Sequence, residues 1–325
     1  LQDRGFEVKV LAPRATPLSL GTACEFNESS VTRTRWANVN RAAYIVTGGG
    51  ERAVRVGFPN RSRLTQVIRR TYKGLFNFPD AAVGWIPFAW QSGHSLIKAW
   101  RPDLILASSG PPSSLLVASK LSRAYDIPWV ADYRDPWTTN SYYEHGKLRL
   151  ALERKLESRV MAGCAGITSV SEEWADDFRS LHGIPVAVVR NGYDVDDQLA
   201  PQTSDEVVIT GASDLVIRHT GNTYLGKRDA TPLLDGIRGL GRDAGRVRVE
   251  FFGARDPGLE ERVARNYSDL NVRFMPRVDR SECLELQAKA DVLLLLTWDD
   301  PGERGVLPGK LFEYAGSSRP ILVIG

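Results

Sequence analysis

Short apolar runs alternate along this chain with longer segments in which apolar residues recur at helical spacing. A short apolar run between turn formers predicts a strand of a parallel sheet, and a longer amphipathic segment predicts a helix. Their regular alternation indicates consecutive βα units. Strands are predicted at residues 6–11, 43–47, 104–109, 129–131, 166–170, 186–189, 215–219, 248–252, 272–275, 292–298 and 319–325. Helices are predicted between them, including residues 61–100 with breaks, 110–125, 231–240, 258–266 and 281–290.

An acidic and polar segment at residues 194–206 interrupts this alternation and predicts a linker. The alternation then restarts. We therefore expect an α/β protein with two doubly wound parallel-sheet domains of Rossmann type, residues 1–198 and 199–325, facing each other across a cleft. The sequence opens on the end of a helix and closes on a strand that nothing covers, so we expect a fragment. The first strand and helix of the N-terminal domain and the end of the C-terminal domain would be missing from it.

Composition narrows the class of protein. The 42 Lys and Arg residues against 39 Asp and Glu residues leave a net charge of +3, which argues against a nucleic-acid partner. The three cysteines, Cys24, Cys164 and Cys283, are far apart and form no CxxC pair, so neither a zinc site nor a disulfide framework is predicted. No apolar run approaches the ~20 residues that cross a bilayer. We expect a cytoplasmic protein without a metal or cofactor.

The segment 61–76 carries five basic residues among apolar ones at helical spacing. Such a basic amphipathic helix can lie on an anionic membrane surface. It can equally pack its apolar stripe on the sheet of its own domain. The sequence leaves both interpretations open, and with them peripheral attachment to the inner face of the cell membrane.

The segment after residues 292–298 carries the clearest candidate chemistry. A polar loop rich in Gly and Pro opens a helix near Pro308, a residue that suits a first helical turn. Ligands of open α/β sheets bind at such strand ends, and a helix N-terminus favours an anion. Lys310 and Glu313 are three residues apart and project from one helix face. They predict a cation for phosphate and a carboxylate for sugar hydroxyls.

A second glycine-containing loop, residues 218–229, follows the strand predicted at 215–219. Gly221 allows close approach of backbone to a ligand, and Lys227 and Arg228 can pair with phosphate. Taken alone, the loop is better explained as an ordinary βα connection. Together with Lys310 and Glu313 it favours a phosphate site, beside which His219 would lie.

In the first domain, Asp132, Arg134 and Asp135 follow the strand predicted at 129–131. Charges at a strand end either face a site or form a local ion pair, and both alternatives remain open. The loop 108–114 can hold an anion at a helix N-terminus. We favour the simpler interpretation that Ser113 and Ser114 cap that helix.

These blocks together resemble the family 4 (group 1) GT-B glycosyltransferases. The resemblance covers most of the chain, and its most specific part is Gly309-Lys-Leu-Phe-Glu-Tyr314 followed by Arg319-Pro-Ile-Leu322. It implies that the second domain binds a nucleotide sugar and the first an acceptor. It also implies transfer with retention of configuration and without a metal. The further blocks are residues 101–109, 129–137, 167–172, 189–194 and 221–229.

The resemblance assigns roles in the second domain. Glu313 matches the carboxylate that holds the ribose hydroxyls, and Arg228 matches the basic residue that neutralises the donor diphosphate. The N–H groups near Gly305 and Val306 would face that diphosphate. The predicted donor site comprises Gly221, Asn222, Lys227, Arg228, Gly305, Val306, Lys310 and Glu313.

The sequence departs from the family pattern at three positions. Gly305 stands where many members have a second glutamate that contacts the transferred sugar, with Glu303 nearby. Asn222 replaces a basic residue often found after the loop glycine. Arg134 stands where many members place a histidine, and with Asp135 it forms the predicted catalytic pair.

The sequence thus predicts a glycosyltransferase that moves a sugar from a nucleotide sugar to a glycan or lipid-linked acceptor. Two alternatives stay open. One is a GT-B sugar-nucleotide epimerase, and the other is a non-catalytic protein of the same fold that binds a sugar nucleotide.

Overall fold

The computed structural model describes residues 4–14, 28–40, 74, 76–141, 143, 146–193, 215–223, 227–254 and 256–325. The chain divides into two compact units, Leu1–Val189 and Arg190–Gly325. The predicted strand at 43–47, most of the basic segment 61–76 and the linker at 194–206 lie outside the described residues. The predicted domain boundary after residue 198 lies outside them too and stays a prediction.

Parallel strands and intervening helices form the N-terminal unit. Its strands are β1 (Val10–Pro13), β2 (Val31–Thr34), β3 (Ile105–Ser109), β4 (Trp129–Tyr133), β5 (Gly166–Ser169) and β6 (Val186–Val188). Its helices are α1 (Ile86–Ala99), α2 (Ser113–Tyr125), α3 (Lys147–Met161) and α4 (Glu172–His182). β1 pairs with β2, and the other four strands form a sheet in the order β3-β4-β5-β6, every pair being parallel.

The C-terminal unit repeats this architecture around one sheet. Its strands are β7 (Leu215–Thr220), β8 (Val247–Phe252), β9 (Asn271–Met275), β10 (Val292–Leu296) and β11 (Ile321–Ile324). Its helices are α5 (Thr231–Gly239), α6 (Pro257–Asn266), α7 (Arg280–Ala288) and α8 (Gly309–Gly316). The strand order β11-β10-β7-β8-β9 reverses direction between β7 and β10. Open α/β sheets bind ligands at this kind of switch point.

Burial follows the predicted pattern in the centre of this sheet. Leu293, Leu294 and Leu296 of β10 are almost fully buried, because helices cover both faces of a central parallel strand. Phe251 of β8 is fully buried and stacks on Phe274 with ring centroids 5.2 Å apart. The β7 and β10 strand ends are therefore held rigidly by the core.

Local signals fix several helix ends. The hydroxyl of Ser171 accepts a hydrogen bond from the Trp174 amide at 3.4 Å and so caps α4. In the C-terminal unit, Asp256 and Asp279 cap α6 and α7 through bonds of 3.0 and 2.9 Å from amides in the first turn. Each cap satisfies a backbone donor that the helix itself cannot satisfy.

The predicted cap of α2 is wrong. No side chain of that helix caps it, and the Ser113 amide instead donates to the carboxylate of Asp80 at 2.6 Å. Asp80 also accepts from the Ala82 amide at 2.6 Å, and burial raises the pKa of its carboxyl. The anion at this helix start is therefore the protein's own carboxylate, supplied from a distant segment.

The described strands differ from the predicted ones in two places. β1 begins at Val10 rather than residue 6, and Phe6 is 61% exposed. The described strand β2 was not predicted, because Val31-Thr-Arg-Thr34 has no apolar run and its pairing with β1 decides its structure. Among the described strands β11 pairs only with β10, and Val323 is 52% exposed.

Candidate functional site

The end of β7 and the start of α8 meet at the switch point. After Thr220, the backbone turns at Gly221 with φ +103°. A Cβ atom on Gly221 would lie 2.7 Å from Cε and 2.8 Å from Nζ of Lys310. The predicted glycine therefore serves two purposes: it adopts a left-handed φ, and it leaves room for a lysine side chain over the strand end.

Lys310 contacts two neutral acceptors there. Its ammonium lies 3.3 Å from Nε2 of His219 and 3.3 Å from the carbonyl oxygen of Asn222. Burial, reinforced by the charge of Arg228 and opposed by Glu313, lowers the pKa of Lys310 to about 8. An ammonium has three N–H donors, and neither of these acceptors carries a negative charge. Lys310 is thus a cation partly removed from water.

His219 is buried beneath this lysine. Its Nδ1 lies 2.9 Å from the carbonyl oxygen of Leu294 on β10, so Nδ1 carries the hydrogen and donates to that oxygen. Burial, with the nearby Lys310 charge as the second cause, lowers the pKa of His219 to about 4. The ring is therefore neutral at physiological pH, and its Nε2 lone pair accepts from Lys310.

Glu313 lies one turn further along α8. Its Oε1 accepts a hydrogen bond from the side-chain amide of Gln287 on α7, and its Oε2 lies 4.0 Å from Arg280. The Glu313 side chain is 32% exposed, whereas Gln287 is fully buried. Gln287 also donates to the Thr220 hydroxyl at 3.0 Å. Gln287 thus orients the Glu313 carboxylate from the buried side, and the other side of the carboxylate is exposed.

Tyr314 fixes α8 to the strand. It is fully buried, and its hydroxyl accepts from the Thr220 amide at 3.0 Å. Burial raises the pKa of Tyr314 to about 12, so the phenol stays neutral. The helix itself begins at Gly309, one residue after the predicted position for Pro308, which is the N-cap. Lys310 and Glu313 therefore rest on a helix that is anchored to β7.

The other predicted cations lie around this centre. Arg228 is half-buried, and its charge lowers the pKa of both Lys310 and His219, so it lies near both of them. Lys227 instead places its ammonium over the ring of Trp298, 4.5 Å from the ring centroid. Its proposed contact with phosphate stays a prediction.

The loop before α8 differs in one respect from expectation. Gly305 has φ +83°, a conformation that favours glycine. The Val306 amide, predicted to face a diphosphate, donates to the carbonyl of Glu303 at 2.9 Å. Because an N–H group makes one strong hydrogen bond, this amide is already engaged.

The predicted catalytic pair belongs to the N-terminal unit. Arg134 and Asp135 are exposed and directly follow β4. Partial desolvation raises the pKa of Asp135, and Arg134 opposes the shift. Asp132, the other charge of this segment, accepts from the Thr168 hydroxyl at 2.8 Å and is held within the sheet.

Two buried carboxylates of α3 hold this segment on both sides. Glu157 accepts from the hydroxyl of Tyr133 at 2.8 Å, and Glu153 accepts from the indole of Trp137 at 2.8 Å. Glu153 also pairs with Arg149 at 2.6 Å. The exposed pair at residues 134 and 135 therefore lies on a loop with rigid ends.

The sequence did not identify Gln287, Tyr314, Glu153 or Glu157. One signal existed for Gln287: it lies four residues after Cys283 on the same face of α7, where an apolar residue would be expected. Within the described ranges, no group of three metal-ligating side chains comes together, and no helix is long and apolar enough to cross a membrane.

Two Rossmann-like units of parallel strands, with a cation and a carboxylate at the switch point of the second, are the features of a GT-B glycosyltransferase, and they confirm the predicted fold class. The sequence profile of Glycosyltransferase Family 4 matches residues 1–197, and the chain belongs to this family. It is therefore a glycosyltransferase by family. A search among curated proteins found no match.

Solved structures share the fold at low identity. Sucrose-phosphate synthase from Thermosynechococcus elongatus is 11% identical with a TM-score of 0.57, covering 99% of this chain and 72% of its own. The N-terminal domain of Candida albicans trehalose-6-phosphate phosphatase is 14% identical with a TM-score of 0.56, covering 91% of this chain and 70% of its own. Identities this low establish only the fold and do not identify the substrates of this protein.

Proposed function

We propose that the protein transfers a sugar from a nucleotide-sugar donor to a glycan or lipid-linked acceptor. The C-terminal unit, residues 199–325 in the predicted division, would bind the donor, and the N-terminal unit would bind the acceptor. The observation that carries the proposal is the position of Lys310: a partly desolvated ammonium at the end of β7, one helical turn from a carboxylate.

Lys310 suits the donor diphosphate. Its neighbours His219 and Asn222 position the ammonium without neutralising it. A diphosphate would supply the missing negative charge, assisted by Arg228. As the bond to the sugar breaks, negative charge grows on the departing nucleotide, and a cation fixed in advance stabilises that charge.

Glu313 suits the ribose. A carboxylate offers about four acceptor positions, and Gln287 and Arg280 leave part of that capacity unused. Two neighbouring hydroxyls of a ribose can donate to the remaining positions. The exposed side of the carboxylate is the side from which a ligand would approach.

We further propose that the reaction retains configuration and needs no metal. Lys310 and Arg228 would offset the diphosphate charge that a metal offsets in other transferases. Arg134 and Asp135 stay the proposed catalytic residues, with the guanidinium stabilising charge and the carboxyl, whose pKa is raised, serving proton transfer.

A thermal-shift screen of uridine, guanosine and adenosine diphosphate sugars on the complete protein identifies the donor. Glu313→Ala and Arg228→Ala are each expected to lower donor turnover at least ~10-fold. The matched control is Arg265→Ala, an exposed residue paired with Glu261. Near-unchanged turnover in both site variants would refute the assignment.

The products distinguish the alternatives. Donor binding without transfer to any acceptor of a broad panel would favour the non-catalytic protein. An epimerised free nucleotide sugar would favour the epimerase. Product anomeric configuration, measured by NMR, tests retention separately, and activity in excess chelator tests independence from metal.

A further inference from the structure

A polar groove opens in the N-terminal unit beside β1, β2 and α1, with a cavity volume of about 620 Å³. The α1 wall consists of residues that repeat at i, i+3, i+4, i+7 and i+8, so one helix face lines the groove. This face carries Phe88, Gln91, Ser92, Ser95 and Leu96. It combines hydroxyl and amide groups with a half-buried aromatic and an aliphatic side chain.

Arginines line the opposite wall. Arg14 and Arg35 directly follow two residues that face each other in the parallel pair, Pro13 and Thr34. The Arg14 amide donates to the Thr34 carbonyl at 2.8 Å, so the two guanidinium groups start from neighbouring positions at the carboxyl edge. Arg33 also lines the groove.

No carboxylate among the described residues forms an ion pair with Arg14 or Arg35 of this wall. The groove is lined by no Asp or Glu, and the ion pairs of the described part include neither Arg14 nor Arg35. Like charges on adjacent strand positions destabilise a sheet. An anion bound between the two arginines would attract both guanidinium groups and so offset their mutual repulsion.

The strand end that carries Arg35 is held in place. The Trp85 indole donates to the buried hydroxyl of Thr34 at 2.6 Å, and that hydroxyl donates to the Arg35 carbonyl at 3.2 Å. The backbone at Arg35 is therefore tied to the segment that begins α1. This connection holds the β2 wall of the groove at a fixed distance from the α1 wall.

We propose that this groove binds a phosphate or diphosphate group of the sugar acceptor. Guanidinium groups bind phosphate oxygens in pairs, and the serine and glutamine side chains of α1 can donate to those that remain. Phe88 and Leu96 offer an apolar surface for the sugar ring or hydrocarbon next to the phosphate. The identity of this ligand as acceptor rests on the proposed function, whereas anion binding by the groove does not.

Inorganic pyrophosphate is the probe, and calorimetry on the full chain is the measurement. Because the donor site would also bind it, titrations use the Lys310→Ala variant as background. Adding Arg14→Ala and Arg35→Ala to this background is expected to weaken pyrophosphate binding ~100-fold, because two charged hydrogen-bond donors are lost. The matched control is Arg154→Ala with Arg159→Ala, which removes two charges outside the groove.

Ser92→Glu gives a second test that keeps both arginines. The new carboxylate would occupy the groove, so pyrophosphate binding should fall by a similar factor while the melting temperature stays unchanged. Equal pyrophosphate affinity in all variants would overturn the groove proposal. It would leave the donor site untouched, because nucleotide-sugar binding is measured separately in the protein with intact Lys310.

Vesicles separate the two sources of a phosphate group. Sedimentation with phosphatidylcholine vesicles, with and without phosphatidic acid, is compared between the wild type, the Arg14→Ala/Arg35→Ala variant and the Arg154→Ala/Arg159→Ala control. Binding that needs phosphatidic acid and both groove arginines supports a lipid-linked acceptor. Arginine-dependent pyrophosphate binding without vesicle binding supports a soluble phosphorylated acceptor.

Discussion

Gly221→Ala is the most informative single substitution in the C-terminal unit. The new methyl group would lie 2.7 Å from Cε of Lys310 and 2.8 Å from its Nζ. Carbon atoms in contact normally keep about 3.5–4.0 Å between them. The lysine end is flexible, so the side chain rather than the sheet should move. The substitution would therefore remove the ammonium from the site without deleting it.

Gly221→Ala is expected to change both the stability of the protein and its affinity for the donor. The left-handed φ of +103° disfavours alanine, and such strain costs about 1–3 kcal/mol of stability. Displacing a charged hydrogen-bond donor from the diphosphate costs about 1.5–3 kcal/mol of donor binding, or about 10- to 150-fold in Kd. We expect a modest decrease in melting temperature and a large decrease in donor affinity.

A double-mutant cycle separates these effects. Donor Kd is measured by calorimetry for the wild type, Gly221→Ala, Lys310→Ala and the double variant. If the alanine acts by displacing Lys310, the double variant should bind no more weakly than Lys310→Ala alone, because the contact can be lost only once. Gly239→Ala, at the end of α5 in open space, is the control for a glycine substitution as such.

Strict additivity in this cycle would refute the reasoning. It would mean that Gly221 and Lys310 contribute independently, for example through backbone donors that approach the ligand. Unchanged donor affinity in Gly221→Ala would go further, because it would show that the position of the ammonium has no influence on the donor.

Three further predictions concern other parts of the molecule. Donor affinity should fall as pH rises above about 8, because the bound diphosphate raises the pKa of Lys310 from about 8 and favours its charged form; a Kd unchanged up to pH 10 would contradict this. Gln287→Leu should raise the donor Kd about 5- to 10-fold, since Glu313 loses the donor that orients it, with little change in melting temperature. Glu157→Ala should lower the free energy of unfolding by about 2–4 kcal/mol, because the buried Tyr133 hydroxyl loses its acceptor, and chemical denaturation measures this.

The sequence predicts strands well where burial alone decides them. β10 is apolar on both faces, and β7 and β8 carry apolar residues at most positions, so the predicted positions of these strands agree with the structure within one or two residues. β2 has the sequence Val-Thr-Arg-Thr and becomes a strand only because β1 lies beside it. Such pairing between distant segments leaves little trace in local hydrophobicity.

In the candidate donor site, too, some residues follow from general rules and others depend on packing between distant segments. Gly221, Lys310 and Glu313 were predicted together because strand ends of a parallel sheet meet at one edge, which is a rule of topology. Gln287 could not be assigned, because its contact with Glu313 depends on how α7 packs against β7. The engaged amide of Val306 likewise depends on the turn that Glu303 closes.

The small net charge of the chain does not indicate the local clusters of basic residues that the fold brings together. A surplus of +3 argues against a nucleic-acid partner, and nothing in the composition indicates local cationic sites. Pairing of β1 with β2 nevertheless brings Arg14 next to Arg35, although 20 residues separate them in the sequence. Folding likewise brings Arg228 close enough to Lys310 to lower its pKa. Under the two proposals, bound phosphate would relieve the repulsion within each of these concentrations of positive charge, one in each unit.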